Sequence, residues 1–168
     1  MAALDPLPVS GLNPELRGLI DEAVERRALS NTVLARLWSH RPELAAAQVA
    51  LHTRFYDSNL LDGRLLELVR LRIAALNDCL PCKAARKSDQ VTEAEVSCLS
   101  SADERFTPRE RAALAFAEGF ALDHHGLGKD AIAGLRQQFS TPEIVELGMF
   151  VALMLGSGRL AHVLTAYE

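Results

Sequence analysis

The chain has 168 residues, enough for one hydrophobic core and too few for two comfortable domains, so a single domain over residues 1–168 is expected. Hydrophobic residues make up 49% of the chain and charged residues 24%, a balance that excludes a disordered or low-complexity protein. The net charge is −4 and no basic run occurs, which excludes the usual electrostatic footprint of a protein that binds nucleic acid.

Leucine (28) and alanine (25) far outnumber valine (10) and isoleucine (4). Because β-branched residues are scarce, this composition favours helices over strands. The expected fold class is therefore all-α.

Hydrophobic periodicity and capping residues divide the chain into helices joined by short turns. With their caps, the predicted helices cover about residues 13–29, 30–39, 41–56, 62–76, 81–90, 92–100, 107–122, 129–139 and a last region from 140. Asp57-Ser58-Asn59 is predicted to close the third helix. Gly148, Gly156 and Gly158 are predicted to allow close helix contacts or a break in the last one. No repeat or linker is evident.

The longest uncharged apolar stretch, residues 147–158, is shorter than the ~20 residues that a membrane helix needs. No signal peptide is recognisable at the N-terminus. Three cysteines, an odd number, do not describe a disulfide framework. A cytoplasmic protein without a membrane span is therefore expected.

The fourth predicted helix is apolar nearly all round, which is typical of the central helix of a bundle. Glu67 lies inside that apolar run, so its carboxyl group is a candidate for proton exchange near neutral pH. The alternative is a structural ion pair with Arg64 or Arg70 on the same helix, or with Arg86 if the chain reverses at Asn77-Asp78.

Cys79-Leu80-Pro81-Cys82 lies where one predicted helix ends and the next begins. Two cysteines at this spacing can close a small disulfide, and free amides at a helix start favour the thiolate. Such a pair is suited to thiol–disulfide chemistry. The alternatives are inert thiols or half of a zinc site that needs two further ligands.

The segment ELVRLRIAALNDCLPC resembles the alkylhydroperoxidase AhpD-like, carboxymuconolactone decarboxylase family, in its peroxidase-related branch. In that family a Glu precedes C-x-x-C at the spacing that Glu67, Cys79 and Cys82 show, and the resemblance extends over residues 43–160. It implies an AhpD-like helical bundle, assembled as a homo-oligomer (trimer or hexamer). It also implies peroxiredoxin-type chemistry without metal or organic cofactor, in which Cys82 attacks a small peroxide, Cys79 resolves it and Glu67 relays protons. A dithiol protein would then reduce the disulfide.

Arg86 stands where the family motif has a His. Arginine stays protonated, so it cannot shuttle protons as imidazole does, although it could tune charge at the site or pair with Glu67. This substitution keeps two alternatives open: a carboxymuconolactone-type decarboxylase, which does not need the cysteines, and a non-enzymatic helical oligomer with structural or sensing cysteines. His52 is expected to be a packing or surface residue, His124 and His125 to be solvated loop residues, and Cys98 to be isolated.

Overall fold

The computed structural model describes residues 3–57 and 60–166. Within these ranges, the regular structure consists of α-helices and two short 3-10 turns, without strands. The α-helices are α1 (Pro14–Glu25), α2 (Val33–Trp38), α3 (Pro42–Asp57), α4 (Gly63–Leu76), α5 (Leu80–Ala84), α6 (Glu93–Ser97), α7 (Pro108–Leu122), α8 (Lys129–Leu135) and α9 (Thr141–Val163). The all-α prediction is confirmed.

Helix starts follow the caps read from the sequence. The side chain of Asn13 accepts a hydrogen bond from the amide of Leu16, and that of Asp62 accepts one from the amide of Leu65. Capping boxes are formed by Thr92 with Glu95, Thr107 with Glu110, and Ser140 with Glu143. These local interactions fix where the helices begin.

Several helices end earlier than predicted. Helix α1 stops at Glu25, and Arg27 then adopts a positive φ of 60°. Helix α5 stops at Ala84 instead of continuing to residue 90, because Ala85 is extended. Helices α2, α6 and α8 are also shorter than predicted. The turn predicted at the end of α3 involves Ser58 and Asn59, which lie outside the described residues.

Helix α4 is the central helix, as its sequence predicted. It packs against α5, α7 and α9, and nine of its side chains are buried. Its apolar side chains share the largest hydrophobic cluster with those of α7 and α9, including Leu66, Ala113 and Phe150. Two charged residues, Glu67 and Arg70, are buried in the same helix. The site described below is built around them.

Helix α9 runs unbroken through its three glycines, so of the two predicted outcomes the break is wrong. Close approach is observed at Gly158, where a Cβ atom would lie 2.5 Å from Nδ2 of Asn77. By length and composition alone, α9 could cross a membrane, which the count of uncharged residues did not anticipate. Its residues Leu147, Phe150 and Val151 are fully buried in the protein core. Core helices pass the same test, so this helix is weak evidence and does not indicate a membrane protein.

Candidate functional site

The chain reverses direction immediately before the cysteines. Helix α4 ends at Leu76, and Asp78 adopts a positive φ of 50°. The amide of Cys79 donates a hydrogen bond to the carbonyl of Ala74, which fixes the tight return, and Cys79 caps α5. The reversal predicted at Asn77-Asp78 is therefore present, and it brings the following residues back along α4.

Cys79 and Cys82 are joined by a disulfide, with 5.2 Å between their Cα atoms. The two cysteines differ in accessibility, because Cys79 is fully buried and Cys82 is partly exposed. Both face the same cavity. The dithiol pair predicted from the spacing can therefore form within this fold, and Cys82 is the member more open to a reactant.

Glu67 is fully buried and accepts hydrogen bonds from two sources. Arg70 donates through Nε to Oε2 at 2.7 Å and through Nη2 to Oε1 at 2.8 Å. The backbone amide of Lys87 donates to Oε1 at 3.0 Å. A carboxylate bound by a guanidinium through two parallel hydrogen bonds is a strong and geometrically specific pair. Of the ion pairs considered for Glu67, the one with Arg70 is present.

Arg70 connects this carboxylate to the cysteine segment. Its Nη1 donates to the carbonyl of Cys82 at 2.6 Å, and its Nη2 donates to the carbonyl of Ala85 at 2.7 Å. These carbonyls lie at the end of α5, where helical partners are missing. Arg70 satisfies them instead, which gives a physical reason for the early end of α5 and links Glu67 to Cys82 through one guanidinium.

Arg86 points away from the cysteines. Its guanidinium binds both carboxylate oxygens of Glu93, at 3.0 Å and 2.9 Å, and the carbonyls of Lys83 and Ala85. It is absent from the described residues that line the cavity beside the disulfide. Glu67 therefore pairs with Arg70 and not with Arg86, which was one of its candidate partners. Charge tuning by Arg86 stays a prediction.

A cavity of about 100 Å³ adjoins the disulfide. Its walls come from α2, α3, α4, α5 and α9 and from the loops that follow α1 and α5. Most of the lining is apolar, with Trp38, Ile73 and Met154 among its members. A small apolar cavity with a few polar groups is the usual form of a site for a small molecule. The cavity therefore gives the dithiol a defined binding space.

Lys87 lines this cavity together with Cys79 and Cys82. Burial and, to a smaller extent, the positive charge of Arg70 lower the pKa of its ammonium, the carboxylate of Glu67 opposes both effects, and the net result is a pKa of about 7. Within residues 3–57 and 60–166, its amino group has no hydrogen-bond partner. No sequence motif points to Lys87, although it directly follows Arg86, which stands at the position of the family His.

Three further residues, His52, Tyr56 and Asn77, each contribute a polar group to the cavity lining. His52 donates from Nδ1 to the carbonyl of Gln48 at 2.8 Å, so its Nε2 is left as an acceptor, and burial lowers its pKa. Among the described residues, the hydroxyl of Tyr56 and Oδ1 of Asn77 have no hydrogen-bond partner. Buried polar atoms without partners are uncommon in proteins, and a catalytic role or a bound water or ion is a usual explanation for them. No sequence pattern singles out Tyr56, and the pattern around Asn77 predicts only a turn.

The remaining candidates lie outside this cavity. His124 and His125 are exposed in a 3-10 turn, as expected, and Cys98 is partly exposed. Arg64 binds Glu95 and Glu110. In the part of the chain that the structure describes, no group of three or more His, Cys, Asp and Glu residues is placed to hold a metal ion.

Comparison with known proteins gives few relatives by sequence. No family model matches the chain. An uncharacterised protein of Mycobacterium tuberculosis, found in two strains, is 32% identical over 120 residues. The match covers 66% of this chain and 41% of that protein, so this chain corresponds to less than half the length of those relatives. These relatives assign no activity.

Solved structures are more informative. A protein of unknown function from Agrobacterium tumefaciens, whose proposed assignment is antioxidant defence protein AhpD, is 26% identical, with a TM-score of 0.67 over 78% of this chain and 94% of its own. A peroxidase-related protein with an AhpD core from Ralstonia eutropha JMP134 is 19% identical, with a TM-score of 0.80 over 99% and 91%. The debrominase Bmp8 is 20% identical, with a TM-score of 0.79 over 95% and 88%. The chain therefore has an AhpD-like helical fold.

Proposed function

We propose that the protein is a thiol-dependent peroxidase or antioxidant oxidoreductase that works through the Cys79–Cys82 dithiol. The observation that supports this most directly is the pairing of Cys79 with Cys82 beside a cavity in an AhpD-like fold. A disulfide with a purely structural role would not need both of its sulfur atoms beside a cavity that can hold a small molecule. Reversible formation of this disulfide is the chemistry that the pair can perform.

In the proposed reaction, the Cys82 thiolate attacks the terminal oxygen of a hydroperoxide. The O–O bond breaks, an alcohol leaves after gaining a proton, and Cys82 becomes a sulfenic acid. The Cys79 thiolate then attacks the Cys82 sulfur, and the hydroxyl group leaves as water. Cys82 takes the first role because it is the more accessible cysteine, while Cys79 is buried directly beside it.

Each turnover leaves a disulfide, so a reducing dithiol protein is a required partner. It returns two electrons and two protons to the pair through a mixed disulfide with the accessible Cys82. This cycle requires neither a metal nor an organic cofactor. A reducing compartment such as the cytoplasm suits it, since the dithiol must be regenerated.

Glu67 was predicted to relay protons, and that role stays a prediction. The proposal gives it a positioning role as well, because Glu67 holds Arg70, and Arg70 holds the carbonyl of Cys82. Removing the carboxylate would therefore move the peptide that carries the attacking sulfur. Arg86, which binds Glu93, supports the end of α5 from outside.

A homo-oligomer is also proposed. Exposed apolar side chains of α3 and α9 line two grooves between these helices, and we call the five residues together the α3/α9 face (Leu44 and Leu160 in one groove, Leu51, Val145 and Met149 in the other). Exposed apolar patches are typical of protein interfaces. A second copy of the chain is the occupant expected from the family resemblance, in a trimer or hexamer.

A carboxymuconolactone-type decarboxylase and a non-enzymatic oligomer remain the alternatives. Decarboxylation does not use a dithiol, so it leaves the paired cysteines in the cavity unexplained. A structural role for the cysteines does not account for a cavity containing Lys87 and two buried polar atoms without partners. The dithiol reaction uses the paired cysteines and places its reactant in the cavity beside them.

The test is a single turnover of the fully reduced protein with one equivalent of tert-butyl hydroperoxide. Wild type is expected to lose two thiols at a rate well above that of a free thiol, and Cys82→Ser is expected to lose this fast phase. Cys98→Ser is the matched control, because Cys98 lies on α6's C-terminal side, outside the cavity lining, and it should react as wild type does. Wild-type oxidation no faster than that of a free thiol would overturn the proposal.

A further inference from the structure

Lys87 enters the cavity because α5 ends where it does. A helix continuing to residue 90 would have placed Arg86 one turn beyond Cys82, on the same face. Instead, Ala85 is extended, the guanidinium of Arg86 binds Glu93, and Lys87 lines the cavity beside both cysteines. The amide of Lys87 is fixed to Glu67, so this arrangement is anchored at the backbone.

Among the titratable groups around the cavity, the amino group of Lys87 is the best suited to gain or lose a proton. From α4, Arg70 and Glu67 are committed to each other. From α3, Tyr56 is a buried phenol whose pKa burial raises, and His52 is buried with a lowered pKa. From α5, the cysteines adjoin the same space. Lys87 is half-buried, and an ammonium that has lost part of its hydration without gaining a hydrogen-bond partner is destabilised, so the site favours either loss of the proton or arrival of an anion.

We infer that Lys87 is the proton-exchanging group of the dithiol centre, whose ammonium stabilises the Cys82 thiolate and protonates the oxygen that leaves during its oxidation. This inference rests on the proposed function. It assigns to Lys87 the work for which Arg86 is unsuited, since a guanidinium does not release its proton.

The proton balance closes over the oxidative half of the cycle. The reduced centre starts as Cys82 thiolate, Cys79 thiol and Lys87 ammonium. Attack on the hydroperoxide gives Cys82 sulfenic acid and an alkoxide, which takes a proton from Lys87 and leaves as the alcohol. Neutral Lys87 then accepts the proton of Cys79, and the Cys79 thiolate attacks the Cys82 sulfur. The departing hydroxide recovers that proton as water, which leaves a disulfide and a neutral amine.

The reductive half restores the starting state. A reducing dithiol supplies two electrons and two protons, one of which returns to Cys79 while the other charges Lys87, with Cys82 released as the thiolate. The disulfide form carries no thiolate, and there the pKa of Lys87 is lowered to about 7. A thiolate in the same cavity would raise that pKa, because an opposite charge favours the ammonium. The amine is thus charged when its proton is needed and readily neutral afterwards.

Three lysine variants separate the two parts of this role. Lys87→Met removes the amine and keeps much of the side chain, and Lys87→Arg keeps a positive charge that does not transfer protons. Lys83→Met is the matched control, because Lys83 adjoins Cys82 in sequence but binds the exposed Asp78 outside the cavity lining. Two readouts apply to the reduced proteins: the pH profile of Cys82 alkylation by iodoacetamide, followed by peptide mass, and the single-turnover rate with tert-butyl hydroperoxide.

For Lys87→Met, we expect the Cys82 alkylation profile to move to higher pH and peroxide oxidation to slow by at least about tenfold, since a positioned general acid contributes that much or more. For Lys87→Arg, we expect the alkylation profile to stay near that of wild type while peroxide oxidation remains slow. Lys83→Met should match wild type in both readouts. Circular dichroism spectra like that of wild type would show that a loss of rate in the Lys87 variants does not come from unfolding. If Lys87→Met does not fold, Lys87→Arg, which keeps the positive charge, still tests proton transfer.

A wild-type alkylation profile and an oxidation rate within about twofold of wild type in Lys87→Met would overturn the inference, because both effects of a general acid would be missing. Equal losses in Lys87→Met and Lys83→Met would overturn it as well, since they would show a general charge effect. Failure of the proposed function is a separate result. If the proposed function fails, wild type itself does not react with peroxide. In that case, an alkylation profile of Cys82 that Lys87→Met leaves unchanged would still reject a role for Lys87.

Discussion

The backbone amide of Lys87 donates a hydrogen bond to Oε1 of Glu67 at 3.0 Å, across twenty residues of chain. This contact joins the central helix to the segment that leaves the cysteines. Because the same carboxylate binds Arg70, which holds the carbonyl of Cys82, one buried anion positions the backbone at both Cys82 and Lys87.

Arg70→Met is expected to destabilise the protein strongly, because it leaves the Glu67 carboxylate buried without its cation. Breaking a buried pair in this way costs about 3–5 kcal/mol of unfolding free energy. The control is Arg72→Met, which removes the more exposed pair with Glu118 and should cost about 1 kcal/mol or less. Urea unfolding of the two variants measures the difference, and equal losses would contradict the buried pair's structural role.

Stability of the oxidised protein should depend on pH through Lys87. Its pKa is lowered to about 7 in the folded state from an ordinary value of 10.5, so between these values the unfolded chain binds more protons. The unfolding free energy contributed by Lys87 therefore rises with pH across this window and is lowest below pH 7. Wild type should gain stability relative to Lys87→Met between pH 7 and pH 10.5.

Denaturant unfolding of the oxidised proteins at several pH values checks this, with Lys83→Met compared in parallel. The wild-type minus Lys87→Met difference should change with pH, whereas the difference for Lys83→Met should not follow this pattern. A difference for Lys87→Met that is the same at all pH values would show that the amine titrates normally in the folded state.

Two glycines of α9 offer a matched pair. A Cβ at Gly158 would lie 2.5 Å from Nδ2 of Asn77, which donates to the carbonyl of Leu155, whereas a Cβ at Gly156 would meet open space. Alanine at either position gains helix propensity of about 1 kcal/mol. Overpacking at Gly158 offsets this gain, so Gly158→Ala should be less stable than Gly156→Ala by about 1–3 kcal/mol. Thermal or urea unfolding decides it, and equal stabilities would refute the tight contact.

The α3/α9 face is expected to mediate self-association. Met149 is 53% exposed and shares a groove with Leu51 of α3, so Met149→Glu places a charge in the proposed interface. The variant should have a lower mass than wild type in light scattering. Leu122→Glu is the control, because Leu122 is exposed at the end of α7 and lines neither groove, so this variant should leave the mass unchanged. A monomeric wild type would contradict the homo-oligomer.

The features of the fold that could be predicted from the sequence are those that local interactions determine. Capping residues located the helix starts, apolar density identified α4 as the central helix, and the spacing of Cys79 and Cys82 predicted their pairing. The reversal after α4 was also predictable, and it brings Lys87 to Glu67 much as residue spacing suggested for that region.

Long-range contacts decided the features that the sequence did not predict. Arg70 binds the carbonyls of Cys82 and Ala85 from twelve and fifteen residues away, and no local pattern signals the resulting end of α5. That end determines that Lys87, rather than Arg86, lines the cavity. Tyr56 joins the cavity from α3, which depends on how α3 packs and not on any motif.

The most direct test of the account is to trap the first oxidation product in Cys79→Ser. Without the resolving cysteine, one equivalent of tert-butyl hydroperoxide should convert Cys82 to a sulfenic acid that a dimedone probe labels and peptide mass spectrometry locates. The account predicts labelling at Cys82 at a rate close to that of the first wild-type oxidation step. Labelling at Cys98 alone, or none above the level of Cys79→Ser/Cys82→Ser, would contradict a redox centre built on Cys82.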